Sequence, residues 1–116
     1  LVVFWSIDCP PCLKELKDLS ELHYENPQYQ LTLINTDITE DKVVLHNLLE
    51  EHKLSQLDNW VFANNNEDKL RYEVDPRWYG DLPRSYFFST SGKHKRLRGA
   101  LNKEKLYQLF NPQKPI

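Results

Sequence analysis

Apolar positions along this chain follow two rhythms. Leu1 to Trp5, Leu31 to Asn35 and Trp60 to Phe62 are short runs rich in apolar, β-branched and aromatic residues, the mark of strands. Between them, apolar residues return every three or four positions. Leu13, Leu16, Leu19 and Leu22 form one such stripe, with Lys14, Lys17, Asp18 and Glu21 on the wet side, and Asn26-Pro27 ends it. Val44, Leu45, Leu48 and Leu49 form a second stripe; Thr39 is its expected cap, with Glu40 and Asp41 in the first turn, where acids suit the helix dipole. After an exit turn over Asn64 to Asn66, Asn66 can cap a brief helix in which Leu70 and Val74 lie one turn apart.

The last third changes character. Arg84 to Ser89 and Lys93 to Arg98 flank Ser91-Gly92 and predict an antiparallel hairpin. Gly99 breaks the second run. Asn102 then caps a final helix, stapled by Leu101 and Leu106, carrying Leu109 and Phe110 and stopping at Asn111-Pro112. The order β-α-β-α-β-α-β-β-α predicts an α/β domain over residues 1–116: parallel strands joined through helices, a closing hairpin, and hence a central mixed sheet flanked by helices on both faces. Trp60 and the run Tyr86-Phe87-Phe88 are expected in the core, and the basic run Lys93 to Arg96 as a wet turn and sheet edge.

Composition narrows the function. At 116 residues there is room for one ordinary core. Hydrophobic residues at 40% and charged residues at 28% argue against disorder, and a net charge of -2 gives no electrostatic case for nucleic acid as a partner. No apolar run is long enough to span a bilayer. The chain opens inside an apolar run, which reads as an excised domain or processed chain lacking upstream N-terminal residues; a signal peptide or membrane anchor, if the full protein has one, lies outside this segment, and nothing here tells the compartment.

The chemistry concentrates in Cys9-Pro10-Pro11-Cys12, the only two cysteines. The pair closes too small a loop to staple a fold, and it sits where a strand passes into a helix. Helix N-terminal N–H groups and the macrodipole favour a thiolate at Cys9, and one helical turn brings Cys12 close enough to attack a mixed disulfide formed there. Cys9 is therefore expected to be the exposed nucleophile and Cys12 the buried resolving thiol. Pro10-Pro11 fixes the spacing but removes two N–H donors, and Asp8 places a like charge beside Cys9, opposing the helix terminus. Zinc needs four ligands; only His23 and Glu15 stand nearby in sequence, with His46 and His52 on another helix, so no metal is expected. Glu15 follows Cys12 by one turn. It reads either as a solvated helix glutamate or as a buried carboxyl able to take the proton of Cys12.

These residues resemble the thioredoxin superfamily, more narrowly the TlpA/ResA-like extracytoplasmic thiol–disulfide oxidoreductases. The resemblance rests on Val3-Phe4-Trp5 before the Cys9–Cys12 motif, Leu33-Ile34-Asn35, Leu82-Pro83 leading into Arg84 to Phe88, and Gly92 and Gly99 around the hairpin. It implies a cis-proline at Pro83 facing the cysteines, with the backbone of Leu82 and the Pro10-Pro11 surface meeting a substrate strand. It also implies a functional buried glutamate at Glu15, a reversible Cys9–Cys12 disulfide as the sole redox group, and no other cofactor. The implied partners are protein dithiols or disulfides and an upstream redox donor, met by a monomer in a bacterial periplasm or tethered facing it. Cytochrome c maturation is within the implied range, with an apocytochrome c or a metallochaperone as substrate; no residue here selects either.

The chain departs from the family at three places. Asp8 replaces the usual aromatic, Val3 replaces the carboxylate of ordinary thioredoxins, and Asp75 to Asp81 lengthens the approach to Pro83. In that segment Trp78 and Tyr79 either line the substrate groove or plug the core. Reduction of protein disulfides is the leading function. An oxidase or isomerase of the same fold, and a non-enzymatic interaction module, are the alternatives.

Overall fold

The apolar opening of the chain becomes the centre of the sheet. A computed structural model of the protein describes residues 1–37, 42–63 and 66–111. Its elements run β1 (Val2–Trp5), α1 (Pro10–Glu25), β2 (Thr32–Asn35), α2 (Lys42–Glu51), β3 (Asp58–Val61), α3 (Glu67–Val74), β4 (Arg84–Phe88), β5 (His94–Arg98) and α4 (Lys103–Phe110). The strands assemble in the order β3-β2-β1-β4-β5. β1 pairs parallel with β2 (Val3 beside Leu33) and antiparallel with β4 (Val3 beside Ser85), giving a mixed five-stranded sheet flanked by four helices. No helix among the described residues is long and apolar enough to cross a membrane.

Alternation along β1 sends Val3 and Trp5 to one face and Phe4 to the other. The first face carries the main core, where Leu16, Leu19 and Leu22 of α1 meet Leu33 and Leu106 with no exposure at all. Each such leucine contributes about 1.5–3 kcal/mol through burial. Asn66 and Asn102 cap as expected, accepting from the amides of Lys69 (3.1 Å) and Lys105 (2.8 Å). Leu101 and Leu106 are both buried around the second cap. The hairpin turns at Ser89–Lys93, where Gly92 takes a φ of 86° that most side chains avoid. The expected cap over Thr39, Glu40 and Asp41, and the turn residues Asn64 and Pro112, lie outside the described residues.

Several apolar side chains are not where periodicity puts them. Trp60 is 61% exposed: β3 is an edge strand, and the indole Nε1–H donates to Asp58 (2.7 Å) rather than entering the core. Phe88 is exposed as well, at the end of β4 opposite His94, so of the Tyr86-Phe87-Phe88 run Tyr86 is buried and Phe87 partly so. In α2, Leu45 and Leu49 face the core but Val44 is half exposed, and no residue of α3 is buried.

Candidate active site

The sharp start of α1 follows from its first residues. Pro10 and Pro11 occupy the first two helical positions, where a missing N–H costs nothing, and Cys9 in extended backbone is the N-cap. Its Sγ accepts from the Cys12 N–H (3.2 Å) and its carbonyl from Leu13 N–H (3.2 Å). The prolines therefore leave one amide, that of Cys12, aimed at the Cys9 sulfur. Cys9 and Cys12 are joined by a disulfide across 5.2 Å between Cα atoms. Cys9 is half-buried and Cys12 is 1% exposed, so an incoming group meets Cys9 first.

A polar network unseen in the sequence holds the turn that delivers Cys9. The Asp37 carboxylate accepts from Ser6 Oγ (2.5 Å), the Ile7 amide (2.9 Å) and Asn35 Nδ2 (2.7 Å). Ser6 in turn accepts from the Asp8 amide at Oγ (3.1 Å) and the Cys9 amide at its carbonyl (3.3 Å). A bonded path thus runs from buried Asn35 to the backbone of Cys9. The Asp8 side chain itself is exposed at the surface beside Cys9.

Glu15 is 1% exposed. Its Oε2 accepts from the Leu101 N–H (2.6 Å), while Oε1 has no partner among the described residues. Burial pushes its carboxyl up to about 7, against the Leu101 amide, which favours the charged form. A carboxyl one turn below Cys12 that exchanges its proton near neutrality can act as acid or base there.

The Leu82–Pro83 bond is cis, and Pro83 is buried. Since Arg84 pairs with Phe4, the register puts Pro83 beside the carboxyl end of β1, where the redox turn departs. Leu82 is half-buried and packs against both core clusters. Trp78 is 4% exposed, its ring 4.8 Å from that of Phe4 and its Nε1–H donating to the Asp81 carbonyl (2.8 Å). It plugs the second face of the sheet and is not a surface for gripping a partner, which corrects its place among the substrate contacts. Tyr79, next to it, is 88% exposed.

The lengthened segment is anchored by buried charge. Asp75 Oδ2 meets Arg84 Nη2 (3.3 Å), the Tyr86 hydroxyl (3.1 Å) and Arg96 Nε (3.3 Å), and Oδ1 accepts from the Arg77 amide (3.0 Å). The Arg77 amide is the chief cause holding the Asp75 carboxyl below its ordinary range, with Tyr86, Arg84 and Arg96 adding to it against the opposing effect of burial. One signal pointed here: an arginine inside a run otherwise destined for the core needs a buried partner.

The fold and the cysteine geometry together define a thioredoxin-fold domain with a Cys-x-x-Cys disulfide at a helix N-terminus. Comparison with known proteins agrees on the fold. No family model matches the sequence, and no curated protein does. Solved structures do. A secreted Mycobacterium tuberculosis disulfide oxidoreductase homologous to E. coli DsbE superposes with a TM-score of 0.73 at 19% identity, covering 97% of this chain and 79% of that one. M. tuberculosis DsbF gives 0.72 at 13% identity over 95% and 76%, and StoA from Bacillus subtilis gives 0.65 at 20% identity over 93% and 78%.

Proposed function

We propose that the protein is a thiol–disulfide oxidoreductase that reduces disulfides in other proteins outside the cytoplasm. The observation that carries this reading is the half-buried Cys9 capping α1, bonded to a buried Cys12 with the buried Glu15 carboxyl one turn below. In the reduced protein the Cys9 thiolate attacks a partner disulfide, forms a mixed disulfide and releases one partner thiolate. Glu15 takes the proton of Cys12. The Cys12 thiolate then attacks Cys9 Sγ, which expels the second partner thiolate and restores the Cys9–Cys12 disulfide. Two electrons pass to the partner, and an upstream dithiol donor returns them.

In this reading Leu82 offers backbone to the partner strand beside Pro83, the Pro10-Pro11 edge forms part of the contact surface, and Asp8 sets the charge next to Cys9. The secreted M. tuberculosis relative in fold supports a place outside the cytoplasm. Direction of transfer is tested by equilibrating the protein with glutathione: a reductase lies well toward the disulfide form, and a strongly oxidising equilibrium would make it an oxidase or isomerase instead.

The trapping experiment separates the enzyme from a non-enzymatic module. Cys12→Ser is expected to accumulate a stable Cys9–partner mixed disulfide, seen as a reductant-sensitive mass increase, because the resolving thiol is gone. A Cys12→Ser protein that forms no adduct with any disulfide would favour the interaction module.

A further inference from the structure

We infer that Trp78 is a positioning residue for polypeptide substrates: its indole, seated by the Asp75 ion cluster, fixes the Leu82 backbone beside the redox turn. The inference rests on the oxidoreductase reading and names the side chain that sets the surface a partner polypeptide meets.

The segment from Asp75 to Arg84 is tied at its ends and again in its middle. The Asp75–Arg84 ion pair (3.3 Å) joins the ends, with both side chains 6% exposed. The Asp75 carbonyl accepts from the Trp78 N–H (3.0 Å), and the Trp78 ring packs against Phe4 of β1. Past the segment's last turn, the Gly99 N–H donates to the Pro83 carbonyl (3.0 Å). Between these anchors the Trp78 Nε1–H donates to the Asp81 carbonyl (2.8 Å). A phenylalanine would fill the same space on the second face but could not make that bond.

That bond orients a second group. The Asp81 C=O and the Leu82 N–H belong to one trans peptide and point in opposite directions. A carbonyl drawn to the buried indole therefore turns the Leu82 N–H away from Trp78. Neither the N–H nor the carbonyl of Leu82 has a hydrogen-bond partner among the described residues.

The sheet register puts this open backbone at the redox turn. Ser85 lies beside Val3 and Arg84 beside Phe4, so two further steps bring Leu82 level with Ser6. The Ser6 carbonyl accepts from the Cys9 N–H (3.3 Å). Neighbouring strands lie about 4.8 Å apart, so a chain bonded to Cys9 passes within reach of an oriented donor and acceptor. A polypeptide can pair with them as an added strand, whereas a small disulfide has no backbone to pair. Trp78 is thus required for the first kind of substrate and dispensable for the second.

The test compares two disulfides that release the same coloured thiolate. Reduced protein converts the mixed disulfide of a cysteine peptide with nitrothiobenzoate to peptide thiol and one nitrothiobenzoate. It converts the symmetrical disulfide of nitrothiobenzoate to two, and in both reactions Cys9 and Cys12 end as the disulfide. In Trp78→Phe the peptide reaction is expected to slow about 5-fold, as loss of one orienting hydrogen bond allows. The reaction with the symmetrical disulfide keeps its wild-type rate, and circular dichroism shows the fold unchanged. Should Trp78→Phe not fold, benzothienylalanine at position 78 keeps the bicyclic ring, replaces the N–H by sulfur and is expected to show the same split. Equal slowing of both reactions, or slowing of neither, overturns the inference and leaves the oxidoreductase reading standing. Wild-type rates with both substrates no higher than those of free dithiothreitol overturn that reading as well.

Discussion

Replacing Glu15 by Gln is expected to slow disulfide exchange by about 100-fold near neutral pH and, in the same variant, to stabilise the folded protein above pH 7. The kinetic loss falls on the second half of the reaction. Without a carboxylate to take its proton, Cys12 attacks the mixed disulfide only in its small spontaneously ionised fraction, so the Cys9–partner adduct builds up in rapid-quench mass spectrometry. The stability gain follows from linkage. An unfolded glutamate ionises near 4.5, whereas buried Glu15 holds its proton to about 7. Between those values the folded state binds the extra proton, so the contribution is fully present below 4.5 and is lost as pH rises through 7. The loss amounts to about 3 kcal/mol, or roughly 1.4 kcal/mol per pH unit. Glutamine has no such dependence. Thermal melts of both proteins at pH 5 and pH 8.5 should converge at the lower pH and favour the variant at the higher. Parallel melting curves across that range would show that Glu15 does not titrate there.

The second large effect is expected at the buried ion cluster. Asp75→Asn leaves the Arg84 guanidinium, with Arg96 close by, without its counter-charge in a site where both side chains of the Asp75–Arg84 pair are 6% exposed. Breaking one side of such a pair costs about 3–5 kcal/mol, a large share of a small domain's stability, and should lower the melting temperature by about 10–20 °C. The sign with pH is opposite to that of Glu15. A carboxyl held below its ordinary range contributes above the unfolded value of about 4 and loses that contribution as pH falls through its folded value. The difference between wild type and Asp75→Asn therefore narrows in acid. The double variant Asp75→Leu with Arg84→Met should recover much of the loss, because matched apolar residues leave no buried charge unpaired. If the double variant is no better than the single ones, the cost lies in lost packing around Trp78 and not in charge.

The contrast between these two sites shows what a sequence exposes. Cys9, Cys12 and Glu15 lie within two helical turns, so spacing alone places them on one helix and near one another. The Asn66 and Asn102 caps were legible for the same reason, being bonds of three residues' reach. Pro83 became interpretable through the family pattern and is cis. Asp37 and Asp75 were missed because their partners come together only through topology: Asp37 reaches Ser6 because β2 lies parallel beside β1, and Asp75 reaches Arg96 only once the hairpin has formed. Periodicity misled where burial depends on what covers a surface. Trp60 has a strand pattern but sits on an edge, and Val44 has a helical pattern but stays half exposed.

The most direct test of the account is titration of the oxidised protein with reduced glutathione, followed by acid quench and peptide mapping. The account predicts that the Cys9–Cys12 disulfide opens reversibly in the folded state, with the glutathione adduct on Cys9 and a free thiol on Cys12. A disulfide that opens only on unfolding, or an adduct carried by Cys12, would contradict it.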